Sequence, residues 1–293
     1  MLLHTLEKDK LISPPRWLPD NTAYLTAMGS VAYGVSGDMS DVDIYGFAMP
    51  PKDMVFPHLA GHIPGFGPAP PKFECWEQHH VQDKSGKKEY DFQVFSIVRF
   101  FHLLVENNPN MTDSLFTPDR CVLHQTRVAQ LVRENRKLFL HKGAYHKFRG
   151  YAYQQLKKVQ AKTPSNPKRQ ALVDAYGYDT KFAYHIVRLA LECEEILTQG
   201  NLTLDANVAV LKAVREGQWT LERLEQWFEG KELQLEQAKM DSKLPEGPNY
   251  DVIKALLLQC LEQHYGDLSK AVAKDNGGQN VINEVQAVLD RYR

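Results

Sequence analysis

Residues 28–47, MGSVAYGVSGDMSDVDIYGF, predict the fold of the amino-terminal part of the chain. Gly29-Ser30 closes a short β-prone run, and Asp41-Val42-Asp43 opens the next one after ten intervening residues. Side chains alternate along a strand, so Asp41 and Asp43 point the same way, about 7 Å apart, while Val42 turns into the core. Two carboxylates beside a Gly-Ser turn, whose backbone amides can face an anion, indicate a site for a divalent metal and a phosphate.

Further strands and one long loop are predicted in the first hundred residues. The strands lie at residues 23–28, 42–49, 73–81 and 89–95, and a Gly/Pro-rich loop lies at residues 57–71. The last two strands have the pattern of a hairpin. In the final strand Asp91 lies on the opposite face from Tyr90 and Phe92, because successive side chains alternate.

The remainder of the chain has a helical period. Ser96 can cap a first helix whose apolar stripe ends at Asn107-Asn108-Pro109. Further helices are predicted over residues 112–117, 124–138, 143–162, 179–199, 205–215, 220–240, 248–264 and 278–292. We therefore expect an α/β domain at residues 1–140 and an all-helical domain at residues 141–293.

Charge is distributed unevenly along a nearly neutral chain. The formal net charge is −1, yet residues 141–190 carry a net charge of +8 and residues 191–246 a net charge of −6. Cations interleaved with aromatic residues suit a partner rich in phosphates and bases, such as RNA, although a solvated helix surface has the same composition. The candidate acceptor-binding residues in the basic segment are Arg149, Lys157, Lys158, Lys168 and Arg169.

A helix beginning after Asp179 carries the strongest candidates in the basic segment. Lys181, His185 and Arg188 fall at positions i, i+4 and i+7, so they share one face. That face could contact a triphosphate or an RNA backbone. The alternative is a network of satisfied surface side chains.

Cysteine usage and hydropathy indicate the compartment. The four cysteines stand apart without a C-x-x-C pair, which is typical of reduced thiols. Cys75, His79 and His80 make a poor zinc set, because neighbours on a strand face opposite sides. The first residues lack the apolar run of a signal peptide, and no later stretch reaches the roughly 18 apolar residues of a membrane span. We expect a cytoplasmic protein with no membrane partner.

Several motifs together resemble one family. They are GSVAYG at 29–34, SDVDIYGF at 40–47, NPN at 108–110, YGYDTKFAYHIVRL at 176–189 and SKLP at 242–245. The first two resemble the signature of the DNA polymerase beta-like nucleotidyltransferase superfamily, and the full set is similar to its RlaP-type branch, bacterial and phage proteins associated with RNA repair. The resemblance implies a palm-like mixed α/β (α+β) sheet followed by a helical domain that covers a nucleotide.

The same resemblance implies a mechanism and a set of site residues. Asp41, Asp43 and a third carboxylate, Asp91 or failing that Glu89, would hold two Mg²⁺ or Mn²⁺ ions. The residues that would bind the nucleoside triphosphate are Gly29, Ser30, Tyr33, Ser40, Lys181, His185 and Arg188. The reaction would transfer a nucleoside monophosphate to an acceptor, most simply an RNA 3′-hydroxyl, and release pyrophosphate.

Two other functions fit the sequence less well. One is transfer of AMP to a protein or a small molecule, and the +8 segment with its aromatic residues favours RNA over these acceptors. The other is a catalytically idle nucleic-acid-binding or regulatory module on the same fold. The presence of Asp41, Asp43 and Asp91 argues against the idle module.

Overall fold

The computed structural model describes residues 1–35, 41–56, 72–86, 88–161 and 167–266, without the side chain of Lys168. Three predictions lie outside this part of the chain: nucleotide binding by Ser40, the loop at residues 57–71 and the helix at residues 278–292.

A mixed sheet forms the centre of the amino-terminal part. Its five strands in the described residues are β1 (Thr22–Ala27), β2 (Val42–Ala48), β3 (Cys75–Gln82), β4 (Glu89–Ser96) and β5 (Val122–Gln125), and they lie in the order β3-β4-β2-β1-β5. The central pair β2 and β4 runs parallel, and the other pairs run antiparallel. Every residue of β1 is buried, as expected for an inner strand that is covered on both faces.

The amino-terminal part of the chain also contains short helices. They are α1 (Leu2–Lys8), α2 (Leu18–Asn21), α3 (Lys52–Val55), α4 (Ile97–Val105), α5 (Pro109–Phe116) and α6 (Arg127–Glu134). The prediction that Ser96 caps α4 is confirmed, because its side chain accepts a hydrogen bond from the Arg99 amide. Asn108 caps α5 in the same way, so this helix begins earlier than predicted.

The prediction of a helix over residues 124–138 was wrong for its first residues. Residues Val122–Gln125 instead form β5, which pairs with β1 and covers its free edge. Thr126 then caps α6 through the Ala129 amide. The local pattern favoured a helix, but pairing with a buried strand that lies about 100 residues earlier decided the conformation.

The carboxyl-terminal part is helical. Its helices in the described residues are α7 (Ala144–Ala161), α8 (Pro167–Tyr176), α9 (Thr180–Gln199), α10 (Val208–Arg215), α11 (Leu221–Asp241) and α12 (Tyr250–Tyr265). The central helix α9 packs against α7, α10 and α11, and most of its residues are buried. The sequence pattern did not predict α8. The expected fold class, an α/β mixed sheet followed by helices, is confirmed.

The chain divides into two compact units. One comprises Met1–Met49 and Glu74–Cys260, and the other comprises Pro50–Phe73 and Leu261–Arg293. In the second unit, the Lys52 ammonium lies 5.5 Å from the ring centroid of Tyr265. The functional boundary at residue 140 remains a prediction. Among the described helices, none combines the length and the hydropathy that crossing a membrane requires.

Candidate active site

A cavity of about 460 Å³ in the larger unit contains most of the predicted site residues. It is lined by Gly29, Ser30, Tyr33, Asp41, Asp43, Asp91, Arg169, Lys181, Tyr184, His185 and Arg215. Three carboxylates and three cationic side chains therefore share one space.

The carboxylates come together because β2 and β4 are parallel neighbours. Asp43 and Asp91 are direct partners in the register of the two strands, and Asp41 precedes β2 by one residue. Burial raises the pKa of Asp43, and the nearby charges of Asp91 and Asp41 raise it further, while Lys181 opposes them. The parallel pairing of β2 with β4 thus brings Asp91 beside the two aspartates at the start of β2.

The turn after β1 is held against the start of β2. The Met28 amide donates a hydrogen bond to the Asp43 carbonyl oxygen at 2.7 Å. Gly29 follows with a φ of +65°, and a Cβ placed there would overlap the Oδ2 atom of Asp43. Only glycine permits both this backbone conformation and this close approach.

A bulge in β3 orients Asp91. The register of β3 and β4 shifts between Gln78 and Val81, and His80 adopts a φ of +56°. The His80 amide therefore donates to Asp91 Oδ1 at 2.7 Å, and His79 Nδ1 lies 3.5 Å from the same oxygen. The bulge breaks the strict alternation that placed the two histidines on opposite sides.

Glu89, the fallback for the third carboxylate, has a different environment. Its Oε1 atom lies 2.6 Å from His80 Nδ1, and Glu89 does not line the cavity. This contact is the main reason why the pKa of His80 is raised. The structure therefore brings Asp91, rather than Glu89, to the other two aspartates.

The first turns of α9 supply the predicted cation and imidazole. Lys181 and His185 both line the cavity, as their spacing on one helical face predicted. Burial and four neighbouring cations, of which Arg188 and Lys181 contribute most, hold the pKa of His185 well below 6.5. His185 is therefore a neutral imidazole among positive charges.

Two arginines complete the cationic part of the cavity. Arg169 was predicted among the acceptor-binding residues, but it lies here, bound to Asp179. Arg215, which the sequence analysis did not identify, donates to the Val35 carbonyl oxygen at 3.1 Å. It occupies the last turn of α10, where a basic residue is common, so no local signal distinguished it.

Arg188 does not line the cavity, contrary to its predicted contact with the triphosphate. It is 4% exposed and donates to the Tyr33 hydroxyl, to Asp113 and to Glu192. The Tyr33 hydroxyl in turn donates to Asp113 Oδ2 at 2.6 Å. Position i+7 stays on the same face but lies about 10 Å further along the helix axis, where this face is buried, so Arg188 anchors the turn that contains Tyr33. Glu192, four residues after Arg188, was the available sequence signal for this pair.

The remaining acceptor candidates lie on or near α7. Lys157 and Lys158 are exposed, and the Lys157 ammonium lies 4.8 Å from the ring centroid of Tyr153, which is 45% exposed. Arg149 is instead paired with Glu232 at 2.7 Å. The side chain of Lys168 lies outside the described residues.

The donor set of the cavity suits a hard divalent cation. Carboxylate oxygens are the ligands that Mg²⁺ and Mn²⁺ prefer, and a cation would offset both the burial and the repulsion from Asp91 that raise the pKa of Asp43. Within the described part of the chain, no three His, Cys, Asp or Glu side chains already have the arrangement of a metal site. The cavity therefore fits the ion by its chemistry.

Comparisons with known proteins identify a family that matches this chain. The family described as "RNA repair pathway DNA polymerase beta family" (RlaP) matches residues 3–284. A solved structure of a nucleotidyltransferase-like protein from Exiguobacterium sibiricum 255-15 is 12% identical, covers 89% of this chain and 78% of its own, and gives a TM-score of 0.29. No curated protein matches.

The sheet, the aspartates and the family match define a nucleotidyltransferase of the DNA polymerase beta superfamily. Within that superfamily, the chain belongs to the RNA repair pathway DNA polymerase beta family, which matches nearly its whole length.

Proposed function

We propose that the protein transfers a nucleoside monophosphate from a nucleoside triphosphate to an RNA 3′-hydroxyl and releases pyrophosphate. The observation that carries the proposal is the pairing of Asp43 with Asp91, beside Asp41, in a cavity that also holds three cationic side chains. Carboxylates bind the divalent ions that accompany a triphosphate, and cations bind its phosphates.

The three aspartates would hold two Mg²⁺ or Mn²⁺ ions. When bound, the ions would lower the pKa of the attacking hydroxyl and neutralise charge on the triphosphate. In the transfer itself, the acceptor hydroxyl releases its proton to water and its oxygen forms a bond to the α-phosphorus, while the bond from that phosphorus to the leaving pyrophosphate oxygen breaks. Asp41, Asp43 and Asp91 would orient these reactants in line.

The other lining residues would bind the nucleotide. Arg169, Lys181 and Arg215 would bind the phosphates, with the Ser30 hydroxyl and the amides of the turn. The neutral imidazole of His185 can donate or accept a hydrogen bond without adding charge. Tyr33 is fixed by Asp113 and Arg188, so it would shape the wall of the cavity.

RNA is the acceptor that the chain favours. The segment at 141–190 has a net charge of +8, and its exposed Lys157 and Tyr153 offer a cation and a ring to an unpaired strand. The description of the family also refers to RNA repair. We assign residues 1–140 to catalysis and residues 141–293 to binding of the nucleotide and the acceptor.

The test is a transfer assay with defined acceptors. The purified protein is incubated with each labelled nucleoside triphosphate, with Mg²⁺ or Mn²⁺, and with RNA, RNA blocked by a 3′-phosphate, DNA, or a mixture of proteins and small molecules. We expect label on RNA with a free 3′-hydroxyl and none on blocked RNA. Label on a protein or a small molecule alone would refute the RNA acceptor, and no transfer to any acceptor would refute the activity.

Two matched variants assign the activity to the site. Asp43→Asn removes a charge but keeps the shape, and we expect at least about a 10³-fold loss because both ions would depend on this carboxylate. Asp20→Asn makes the same exchange at a carboxylate that is 80% exposed and lies outside the cavity, and it should remain active. Activity of Asp43→Asn within a few-fold of wild type would contradict the assignment.

A further inference from the structure

One buried carboxylate connects two of the cations in the cavity. The side chain of Asp179 is 5% exposed and caps α9, accepting hydrogen bonds from the amides of Lys181 at 3.0 Å and Phe182 at 3.2 Å. Arg169 Nη1 donates to its Oδ1 and Oδ2 atoms at 2.8 and 2.7 Å. Asp179 does not line the cavity, but Lys181 and Arg169 do.

An aromatic ring also contacts Arg169. The guanidinium of Arg169 lies 4.1 Å from the ring centroid of Phe182, which belongs to the first turn of α9. Arg169 is thus held by a carboxylate and by an aromatic face, both from the same short segment. The start of α9 therefore sets where Arg169 lies in the cavity, although Arg169 itself belongs to α8.

We propose that Asp179 is a positioning residue for the triphosphate: it holds Arg169 and the first turn of α9, with Lys181, in the arrangement that binds phosphates. This inference rests on the proposed function, since it takes the cationic part of the cavity as the phosphate site. A single carboxylate then sets the relative placement of two phosphate-binding side chains from two helices.

Two opposite effects follow from removing the charge of Asp179, and the burial of the pair decides between them. Loss of an anion makes the cavity more positive, which favours a phosphate. However, the Arg169 side chain is only 16% exposed, and a poorly solvated cation that loses the charge of this carboxylate is costly, so we expect Arg169 to shift toward water. We expect the movement of Arg169 out of the cavity to lower phosphate affinity more than the more positive electrostatic potential raises it.

The experiment measures binding of inorganic triphosphate with Mg²⁺ by isothermal titration calorimetry, because this probe does not depend on the choice of base. Asp179→Asn keeps the capping oxygen but loses the carboxylate that receives Arg169. We expect its affinity to fall about tenfold, the effect of removing one charge-assisted hydrogen bond to the ligand. The control is Thr220→Ala, which removes the N-cap of α11, a hydroxyl that accepts from the Arg223 amide at 3.2 Å, outside the cavity.

The control separates positioning from a purely structural role. Thr220→Ala should lower the melting temperature without changing triphosphate affinity. Asp179→Asn should lower affinity even where its melting temperature is close to that of the wild type. Equal affinities of Asp179→Asn and the wild type would overturn the proposal, and so would tighter binding by Asp179→Asn at low salt, which would mean that Asp179 acts only through its charge.

A double-mutant cycle tests the route through Arg169. If Asp179 acts by holding Arg169, the double variant Asp179→Asn/Arg169→Gln should bind no more weakly than Arg169→Gln alone. Additive losses would overturn the proposal. A wild-type protein that binds neither inorganic triphosphate nor any nucleoside triphosphate would refute the proposed function, and the role of Asp179 with it. Normal binding by the wild type together with unchanged binding by the Asp179 variants would refute only the role of Asp179.

Discussion

A single methyl group at Gly29 should separate folding from activity. Gly29 has a φ of +65°, and each of the three nearest atoms to an added Cβ belongs to the side chain of Asp43. The methyl group of Gly29→Ala would therefore press on this one carboxylate. Gly86 provides the matched control, because it has a φ of +68° and an added Cβ there would meet no atom within 4 Å.

The two variants should lose similar stability. Each places an L-residue in the left-handed region, which costs about 1–2 kcal/mol. At about 2–4 °C per kcal/mol, each should lower the melting temperature by roughly 2–8 °C. The additional overlap at Gly29 can be relieved by rotation of the Asp43 carboxylate, so it displaces that group more than it destabilises the fold.

Their activities should differ strongly. A displacement of about 1 Å in a positioned group can reduce a rate on the order of 10²-fold, so we expect a reduction of that size in Gly29→Ala and near wild-type transfer in Gly86→Ala. The assay compares initial rates of labelled nucleotide transfer, with melting temperatures of the same preparations. Transfer by Gly29→Ala within about threefold of Gly86→Ala would refute the assigned role of the Gly29 turn and Asp43.

Three further predictions concern other parts of the site. Asp91→Ala should abolish transfer while Glu89→Ala should retain it, since only Asp91 lines the cavity; the reverse order in parallel rate measurements would show that Glu89 is the third carboxylate. Exchange of Lys157 and Lys158 for Gln should weaken the dependence of RNA affinity on salt and leave triphosphate affinity unchanged. The slope of log affinity against log salt concentration should change by about 0.7 for each phosphate that is no longer neutralised, and an unchanged slope would show that these lysines do not bind RNA. His185 is held neutral in the folded protein but gains a proton below about pH 6.5 in the unfolded chain, so the stability of the fold should fall as the pH drops below that value. His185→Gln should reduce this loss of stability in denaturation curves. An identical loss in the variant would show that His185 is not the group responsible.

The carboxylate half of the site could be predicted from the sequence because it depends on local rules. Strand alternation places Asp41 and Asp43 on one side, and the same rule places Asp91 away from Tyr90 and Phe92. The sequence could not show that β2 and β4 are parallel neighbours in the register that pairs Asp43 with Asp91. The resemblance to a family supplied only the expectation that Asp91, on a later strand, is the third carboxylate.

The cationic half was predicted less completely because long-range packing determines it. The helical period placed Lys181, His185 and Arg188 on one face, but it could not show that Arg188 lies deeper, between Asp113 and Glu192. Arg215 enters the cavity from the end of another helix, 27 residues further along the chain than Arg188 by their numbers. Such positions follow from how helices pack, and no period in one helix encodes them.

The two halves of the cavity depend on each other electrostatically. Burial and the other aspartates raise the pKa of Asp43, while Lys181 lowers it; burial and Arg169 lower the pKa of Lys181, while Asp43 and Asp41 raise it. Each half therefore carries repulsion that the other only partly offsets. A nucleoside triphosphate accompanied by divalent ions, as proposed for this site, would supply positive charge to the acids and negative charge to the bases together. The proposed substrate would thus satisfy both halves at once, which neither an anion nor a cation alone can do, and both the sheet and the helical part would contribute to its binding.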